Sequence, residues 1–474
     1  MAFLFLLVAC SNDNGLVEDE PELHVLDLSE QGIVDTTNRL VLYNGQEQSL
    51  PEGIKIDDRI FQIETPGANF QKGTSYTLTF NTTNFQLFKT DLPIILIEKG
   101  NLEIVDEPKI PARMMVVEQG EVTFNNQIGV ELRGGFSQTF PKKSYSVELW
   151  EDSSGDDTIN HELLGMRNDD DWILDGLWNE PLRLRDFVCH EIWGRIARYP
   201  YSDIENISIG IKRKFCELFV NGKYFGVYYL GEKIDRKQLA LQKYKSQLTG
   251  ELYKGIHYLA QGVDFLGLED YSNTATIWSG YEAKYPKDIG ELDWTNLHEL
   301  VDFVHNSDQI TFDEGIYQRI DLENAADYFI FLNLIFATDN TGKNLYTARY
   351  DQNSTYFFTA WDMDGSFGND WTGGRTDITN EILTNGLFAK LLLNPVFKDE
   401  LRSRWNTLRS NELATQTILG LFDNNYGYLE SNGIYVREAI DQELPQNYSS
   451  GEIGFIHSWT ERRVAFLDNY FDGL

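Results

Sequence analysis

Three cysteines in 474 residues, five methionines, and 40 Lys and Arg set against 74 Asp and Glu are what this chain has little of. Cysteine so sparse excludes a disulfide-stapled scaffold and a zinc module built on cysteine pairs. The shortage of base leaves a formal charge of −34 and a pI near 4.5. A nucleic-acid binder neutralises phosphate with clustered Lys and Arg, and a charge-driven membrane binder needs the same residues, so neither class fits. No apolar run reaches the roughly 18 residues of a transmembrane helix. Against these shortages, hydrophobic residues make up 42% of the chain and aromatics 13%, enough for a packed core and enough to exclude global disorder. At about 150 residues per domain the length accommodates roughly three domains.

The front of the chain reads as an address. Ala2 to Ala9 is an unbroken run of apolar or small residues, ending in Leu7-Val8-Ala9-Cys10. A short apolar run before a small residue matches a secretory h-region and its cleavage site, here without the basic residues that precede one. These four residues resemble the lipobox of bacterial lipoproteins, which implies lipidation of Cys10. The acidic tract Glu18, Asp19, Glu20 resembles the surface-export signal of lipoproteins of the Bacteroides group. The expectation is an outer membrane lipoprotein, held to the membrane by an N-terminal lipid and either surface-exposed or facing the periplasm, with residues 1–22 as signal remnant and acidic tether. Cys189 and Cys216 would then meet oxidising conditions, and their pairing stays open.

Residues 23–91 read as short strands broken by turns. Arg39–Tyr43 precedes Asn44-Gly45, and Arg59–Glu64 and Ser75–Asn81 alternate apolar with polar side chains. A small all-β, immunoglobulin-like domain is expected there, as a spacer or a binding module. From residue 92 to 474 the pattern changes. Strands at Leu92–Ile97, Met114–Val117, Ile128–Leu132 and Ser144–Leu149 lead to a helix at Leu182–Ala197, whose Leu184, Val188, Ile192 and Ile196 share one face. Asn221-Gly222 joins a hairpin of Phe215–Val220 with Phe225–Leu230. Helices at Leu292–His305 and Leu322–Ala337 and strands at Leu345–Tyr350 and Tyr356–Ala360 precede a part, 381–474, that is helical in pattern. Strands, helix, strands, then helices is the order of an α+β fold with two unequal lobes. The acidic stretches Glu151–Asp157 and Asn168–Asp171 read as solvated loops, and Trp361, Trp371 and Trp459 as packing residues.

Several catalytic signatures are missing. There is no phosphate-cradling Gly-x4-Gly-Lys-Ser/Thr, no second His after His161-Glu162 or His190-Glu191, and no Gly-x-Ser-x-Gly. Asp362-Met363-Asp364-Gly365 opens like a calcium loop, but Phe367 and Gly373 stand where an EF-hand needs Gly and Glu. What remains is a spaced set of carboxylates. The Leu322–Ala337 helix runs into Thr338-Asp339-Asn340-Thr341-Gly342-Lys343-Asn344, and a later strand runs into Trp361-Asp362-Met363-Asp364-Gly365. Asp339 and Asn344 have the Asp-to-Asn offset of a protein-kinase catalytic loop, and Asp362 stands where that fold places a metal-binding Asp. Phosphoryl transfer asks for these groups: a carboxylate to accept the attacking hydroxyl's proton, and an Asn with a second carboxylate to hold hard cations on the phosphates. Asx turns and helix caps use the same residue types in loops.

Further segments extend the likeness. Arg133-Gly134-Gly135-Phe136-Ser137, Pro141-Lys142-Lys143-Ser144-Tyr145, Arg183-Leu184-Arg185-Asp186, the run Asn221 to Glu232 and Tyr281-Glu282-Ala283-Lys284-Tyr285-Pro286 occur in that order. Together with the Asp339 and Asp362 loops they resemble the spore-coat protein H (CotH) kinase family, from about Leu92 to the C-terminus. The resemblance implies a bilobal, protein-kinase-like fold with a mixed-strand N-lobe and a helical C-lobe, transferring phosphate from ATP to Ser or Thr of a protein with Mg²⁺ or Mn²⁺. It implies Asp339 as the catalytic carboxylate, Asp362 as the metal-binding one, and Asn344 and Asp364 as metal partners. Arg133, Gly134 and Gly135 would cover the nucleotide phosphates, since Gly allows close backbone approach. Lys142 or Lys143 would neutralise them, one only, because adjacent strand residues face opposite ways. Glu232 or Glu191 would hold that Lys. Asp186 departs from the family pattern, where Asn commonly follows the Arg. Glu282 and Lys284 either line the cleft or pair with each other. Two other readings stand beside this one: a catalytically silent cell-surface binding, adhesion or coat-assembly protein, and transfer of a different group, as in adenylylation.

Overall fold

The computed structural model describes residues 24–29, 33–201, 204, 207–245, 249–257, 261–441 and 448–474. Cys10 and the acidic tether lie outside the described residues. Strands dominate the first half and helices the second, an α+β arrangement. Seven strands close into a barrel in the order Glu121–Arg133, Ser144–Leu149, Asp171–Asp175, Lys223–Glu232, Arg213–Val220, Ile94–Glu98 and Ile110–Glu118. Each pairing is antiparallel except that of Arg213–Val220 with Ile94–Glu98. Alternation along the strands fills the interior. In Ser144–Leu149, Tyr145, Val147 and Leu149 join the core with Trp172, Leu218 and Leu230, while Ser146 and Glu148 face a cleft on the outside. Closure removes the exposed edges that an open sheet would present.

The strands of the N-terminal part pair as one seven-stranded sheet, in the order Val25–Asp27, Gly53–Ile56, Arg59–Ile63, Ser75–Phe80, Thr83–Lys89, Leu40–Tyr43, Val34–Asp35. Its apolar residues share a single core with Ile94, Leu96, Val117, Phe219 and Tyr224 of the barrel. Polar links cross the same boundary: the Tyr224 amide donates to Asp35 Oδ2 at 2.8 Å, and the Asp91 amide to Asn432 Oδ1 at 2.7 Å.

A second sheet of five antiparallel strands runs Ile277–Trp278, Tyr281–Tyr285, Glu251–Gly255, Tyr346–Arg349, Phe357–Thr359. The helix Leu322–Ile335 packs against it and is buried on every residue from Asn324 onward, as expected of a helix that is apolar all round. Asp321 caps its start by accepting from the Asn324 amide, and Phe336, left-handed at φ 55°, ends it. The helices Gly386–Leu391, Pro395–Arg409, Thr415–Ser431, Ile434–Glu438 and Glu452–Asp472 complete the chain. Among the described residues no helix is long and apolar enough to cross a membrane. Cys189 and Cys216 are buried and free, not bridged to each other. The stretch Asn168–Asp171 is not a solvated loop throughout. Asp169 is buried and ion-paired with Arg167 and, at 3.0 Å, with Lys237.

Candidate functional site

Between the outer face of the barrel and the five-stranded sheet lies a cleft of about 1140 Å³. Glu131, Arg133, Ser146, Glu148 and Asp171 form its barrel wall, and Lys254, Glu282, Lys284, Tyr346 and Trp361 the facing one. With Lys109, Lys233 and Lys287 also present, six cations line the cleft beside seven carboxylates, a larger share of base than the 40 Lys and Arg against 74 Asp and Glu of the whole chain. Glu282 and Lys284 do both things the sequence allowed: they line the cleft and pair at 2.6 Å.

The segment Trp361–Asp364 crosses one end of this cleft. Trp361 is buried with the Arg133 guanidinium 5.0 Å and the Arg213 guanidinium 5.5 Å from its ring centroid. Asp362, left-handed at φ 60°, is exposed. Asp364 turns into a small adjoining pocket lined by Asp175, Asn179, Glu180, Arg183, Asp186 and Asp362. Its Oδ2 accepts from Asn179 Nδ2 at 2.5 Å, and that same amide donates to the Trp371 carbonyl at 3.0 Å. Burial, with the charge of Asp362 next and that of Asp175 after it, holds the Asp364 carboxyl well above the usual carboxylate range. Arg133 offsets part of this charge through Asp175 at 3.5 Å. Asp186 has no oxygen to spare. It accepts from the Met363 amide at 2.8 Å and the Tyr229 hydroxyl at 2.9 Å, and it pairs with Arg213. The residue that departs from the family pattern therefore anchors the helix Arg185–Ile196 to the Asp362 segment.

Asp339 sits in the short turn Thr338–Thr341 that follows the buried helix. The next residue, Asn340, donates from Nδ2 to the Trp361 carbonyl at 2.7 Å, and its own carbonyl accepts from Tyr328 at 2.8 Å. The Asp339 and Asp362 loops are thus tied together one residue away from each carboxylate. Lys343 pairs with Asp339 Oδ2 at 2.7 Å. Asn344, left-handed at φ 60° and buried, donates its amide to the Gly255 carbonyl at 2.8 Å. It fixes the loop to the neighbouring strand and is not among the residues lining the Asp364 pocket.

The expected phosphate-binding residues divide. Arg133, Gly134 and Gly135 line the cleft. Gly134 needs to be glycine: its φ is +98°, and a Cβ there would strike the Ser137 hydroxyl. The following Phe136 is exposed and meets Trp371 edge to face, with centroids 5.0 Å apart. Trp371 is therefore a surface aromatic, 42% exposed, rather than a core one. Lys142 is not in the cleft. It is buried in the bend ahead of the strand Ser144–Leu149, ion-paired with Glu438 at 2.6 Å, donating to the Val227 carbonyl at 2.5 Å and 4.7 Å from the Tyr228 ring centroid. Burial, against the opposing charge of Glu438, pulls its ammonium down to about 8. Lys143 faces the opposite way and donates to the Gln138 carbonyl at 2.6 Å. Glu232 spends its carboxylate on the backbone amides of Arg167 at 3.2 Å and Lys212 at 2.9 Å, and Glu191 accepts from Asn425 at 3.0 Å. The partner of Lys142 comes instead from 296 residues further along the chain. No spacing could have disclosed it.

Sequence reasoning also missed Asp175, Asn179, Arg213 and Lys254. The apolar stretch Trp172-Ile173-Leu174 between Asp171 and Asp175 was the signal for the first, since it marks a strand whose end reaches the site. Asp362, Asp364 and Asn179 supply hard oxygen donors that fit Mg²⁺ or Mn²⁺. Among the described residues no three His, Cys, Asp or Glu side chains form a closed ligand set. Open sites of one or two carboxylates are what Mg²⁺ uses when substrate phosphates complete its coordination. A profile of the family described as CotH kinase protein matches residues 130–467, and no curated protein matches the chain.

Proposed function

The chain belongs to the CotH kinase protein family, and from that premise we propose that it is an atypical protein kinase transferring the terminal phosphate of ATP to a Ser or Thr hydroxyl of a secreted or surface protein. The observation that carries this is the joining of the Asp339 and Asp362 loops by the Asn340–Trp361 hydrogen bond of 2.7 Å at the end of a large cleft whose wall includes Arg133, Lys254 and Lys284. The barrel with the helix Arg185–Ile196 is read as the upper lobe of a bilobal kinase-like fold, the helical part as its lower lobe, and the N-terminal sheet as a spacer.

In this reading the nucleotide lies in the cleft with its phosphates toward Arg133 and the exposed backbone of Gly134 and Gly135. Asp362 and Asp364 would hold the divalent cation, with Asn179 orienting Asp364. Bound there, that cation supplies electrostatic neutralisation of the phosphate oxygens. Asp339 accepts the proton of the acceptor hydroxyl as its oxygen bonds to phosphorus and ADP leaves. Lys343 engages Oδ2 of Asp339, which leaves Oδ1 for the proton. The Leu7–Cys10 pattern and its acidic tract support lipid attachment at Cys10 and an outer membrane location, with a membrane and a protein substrate as partners and no nucleic acid.

The test is incubation of the purified chain with ATP, Mg²⁺ or Mn²⁺ and candidate acceptor proteins, followed by mass spectrometry. A phosphate-sized gain on the acceptor, lost in Asp339→Ala and Asp362→Ala, is the expected result. An AMP-sized gain would instead mean adenylylation, and no nucleotide binding at all would favour a silent surface binder on the same fold.

A further inference from the structure

Lys254 extends from the strand Glu251–Gly255 into the large cleft, on the wall facing Arg133. Several cations around it are engaged: Arg133 with Asp175, Lys284 with Glu282, Lys343 with Asp339, Arg213 with Asp186. Lys254 is not. Among the described residues its ammonium has neither a hydrogen-bond nor an ion-pair partner, and its nearest aromatic neighbour is the Tyr346 ring, 6.0 Å from Nζ to the centroid. The strand's register holds it there, since Lys254 is paired with Tyr346 and the adjoining Gly255 carbonyl accepts from Asn344 of the Asp339 loop. Asp362 and Glu282 act on it through charge without contact, while Arg133 and Lys284 repel it. A part-buried ammonium with no contacting anion is unfavourable unless an anion from outside completes it.

We propose that Lys254, with Arg133 across the cleft, binds the terminal phosphates of the nucleotide, the task the sequence assigned to Lys142 or Lys143. This deepens the kinase reading above and rests on it. Lysine suits the position: a point charge with three rotatable donors follows a phosphate as it moves between donor and acceptor, where a planar guanidinium would hold one geometry. Arg133 is fixed by Asp175 and by the Trp361 ring, so it orients, and Lys254 is free to move with the charge.

Calorimetric titration of the full chain with ATP and with AMP, in Mg²⁺, tests this on wild type, Lys254→Met and Lys254→Arg. Lys254→Met should weaken ATP binding by about tenfold to a hundredfold, the scale of a lost charge-assisted contact. AMP binding should change by less than about threefold, and Lys254→Arg should retain most of the ATP affinity. A mere packing role would lower both ligands together. Unchanged ATP affinity in Lys254→Met overturns this inference and leaves the kinase reading standing, whereas a wild type that binds no ATP overturns both. A measurement on the wild type needs no variant to fold: acetylation of Lys254 by acetic anhydride, followed by mass spectrometry, should slow in ATP and not in AMP. Equal rates with and without ATP also overturn the inference.

Discussion

Single residues show most plainly where chemistry and structure part company. Lys142 has the neighbours of a nucleotide-binding lysine in sequence, yet its partner is Glu438, and the pair with Arg183 is buried. Glu438→Ala would strand two buried cations. Removing one member of a buried pair costs about 3–5 kcal/mol, so the variant should lose that much in urea unfolding. A variant of unchanged stability would mean that the pair is solvated. His190 offers a second test. It is buried beside Asp186 at 3.8 Å and near the Trp361 ring, and neither ring nitrogen is hydrogen-bonded. Burial pushes its imidazole down to about 3. The unfolded chain takes up a proton below its ordinary pKa of about 6.5 while the folded chain does not, so stability falls as pH drops through that window, by about 1.4 kcal/mol per unit from this group. His190→Leu should show a flatter stability profile between about pH 6 and pH 4. An unaltered slope would assign the acid sensitivity elsewhere.

At the level of elements, what could be read in the sequence was whatever periodicity controls. The strand Ser144–Leu149 appears with its expected bounds, and the helix expected at Leu322–Ala337 runs Leu322–Ile335. The hairpin around Asn221-Gly222 also forms, as Arg213–Val220 with Lys223–Glu232. Barrel closure was not legible, because alternation says which face of a strand is apolar and nothing about whether the last strand meets the first. The strand Glu251–Gly255 was also missed, being short and mostly buried on both faces, so its pattern does not alternate. That strand matters, because it holds both Lys254 and the attachment of the Asp339 loop. A Cβ on Gly255 would lie 1.9 Å from the Gly342 carbonyl oxygen, which is backbone and cannot swing aside. Gly255→Ala should therefore lower stability by about 1–3 kcal/mol, the range for overpacking, and displace Asp339. Turnover should fall more than ATP affinity. Retention of full turnover would show that the loop tolerates the shift.

Across the whole molecule, the parts interlock. The short helix Ile434–Glu438 sends Arg437 to Glu217, both fully buried, with N–O distances of 2.5 and 2.9 Å, and sends Glu438 to Lys142. The N-terminal sheet shares its core with Ile94, Leu96, Val117, Phe219 and Tyr224. A composition change near residue 91 marks where the pattern shifts but not where packing ends. Deleting residues 1–91 should accordingly expose that apolar face and give an aggregating product, measurable by size-exclusion chromatography. A monodisperse, folded truncation would show the sheet to be a separate unit. The same interlocking joins the two loops that carry the carboxylates of the catalytic proposal through Asn340 and Trp361, and each loop has a separable duty. Burial and the neighbouring charge of Asp362 make Asp364 costly to ionise without a cation, whereas Asp339 stands apart with Lys343. Calorimetric titration of ATP in Mg²⁺ into Asp339→Asn and Asp362→Asn tests the division directly. The account predicts near-wild-type affinity for Asp339→Asn, whose defect would be confined to turnover, and weakened metal-dependent binding for Asp362→Asn. Abolished binding in Asp339→Asn with intact binding in Asp362→Asn would contradict it.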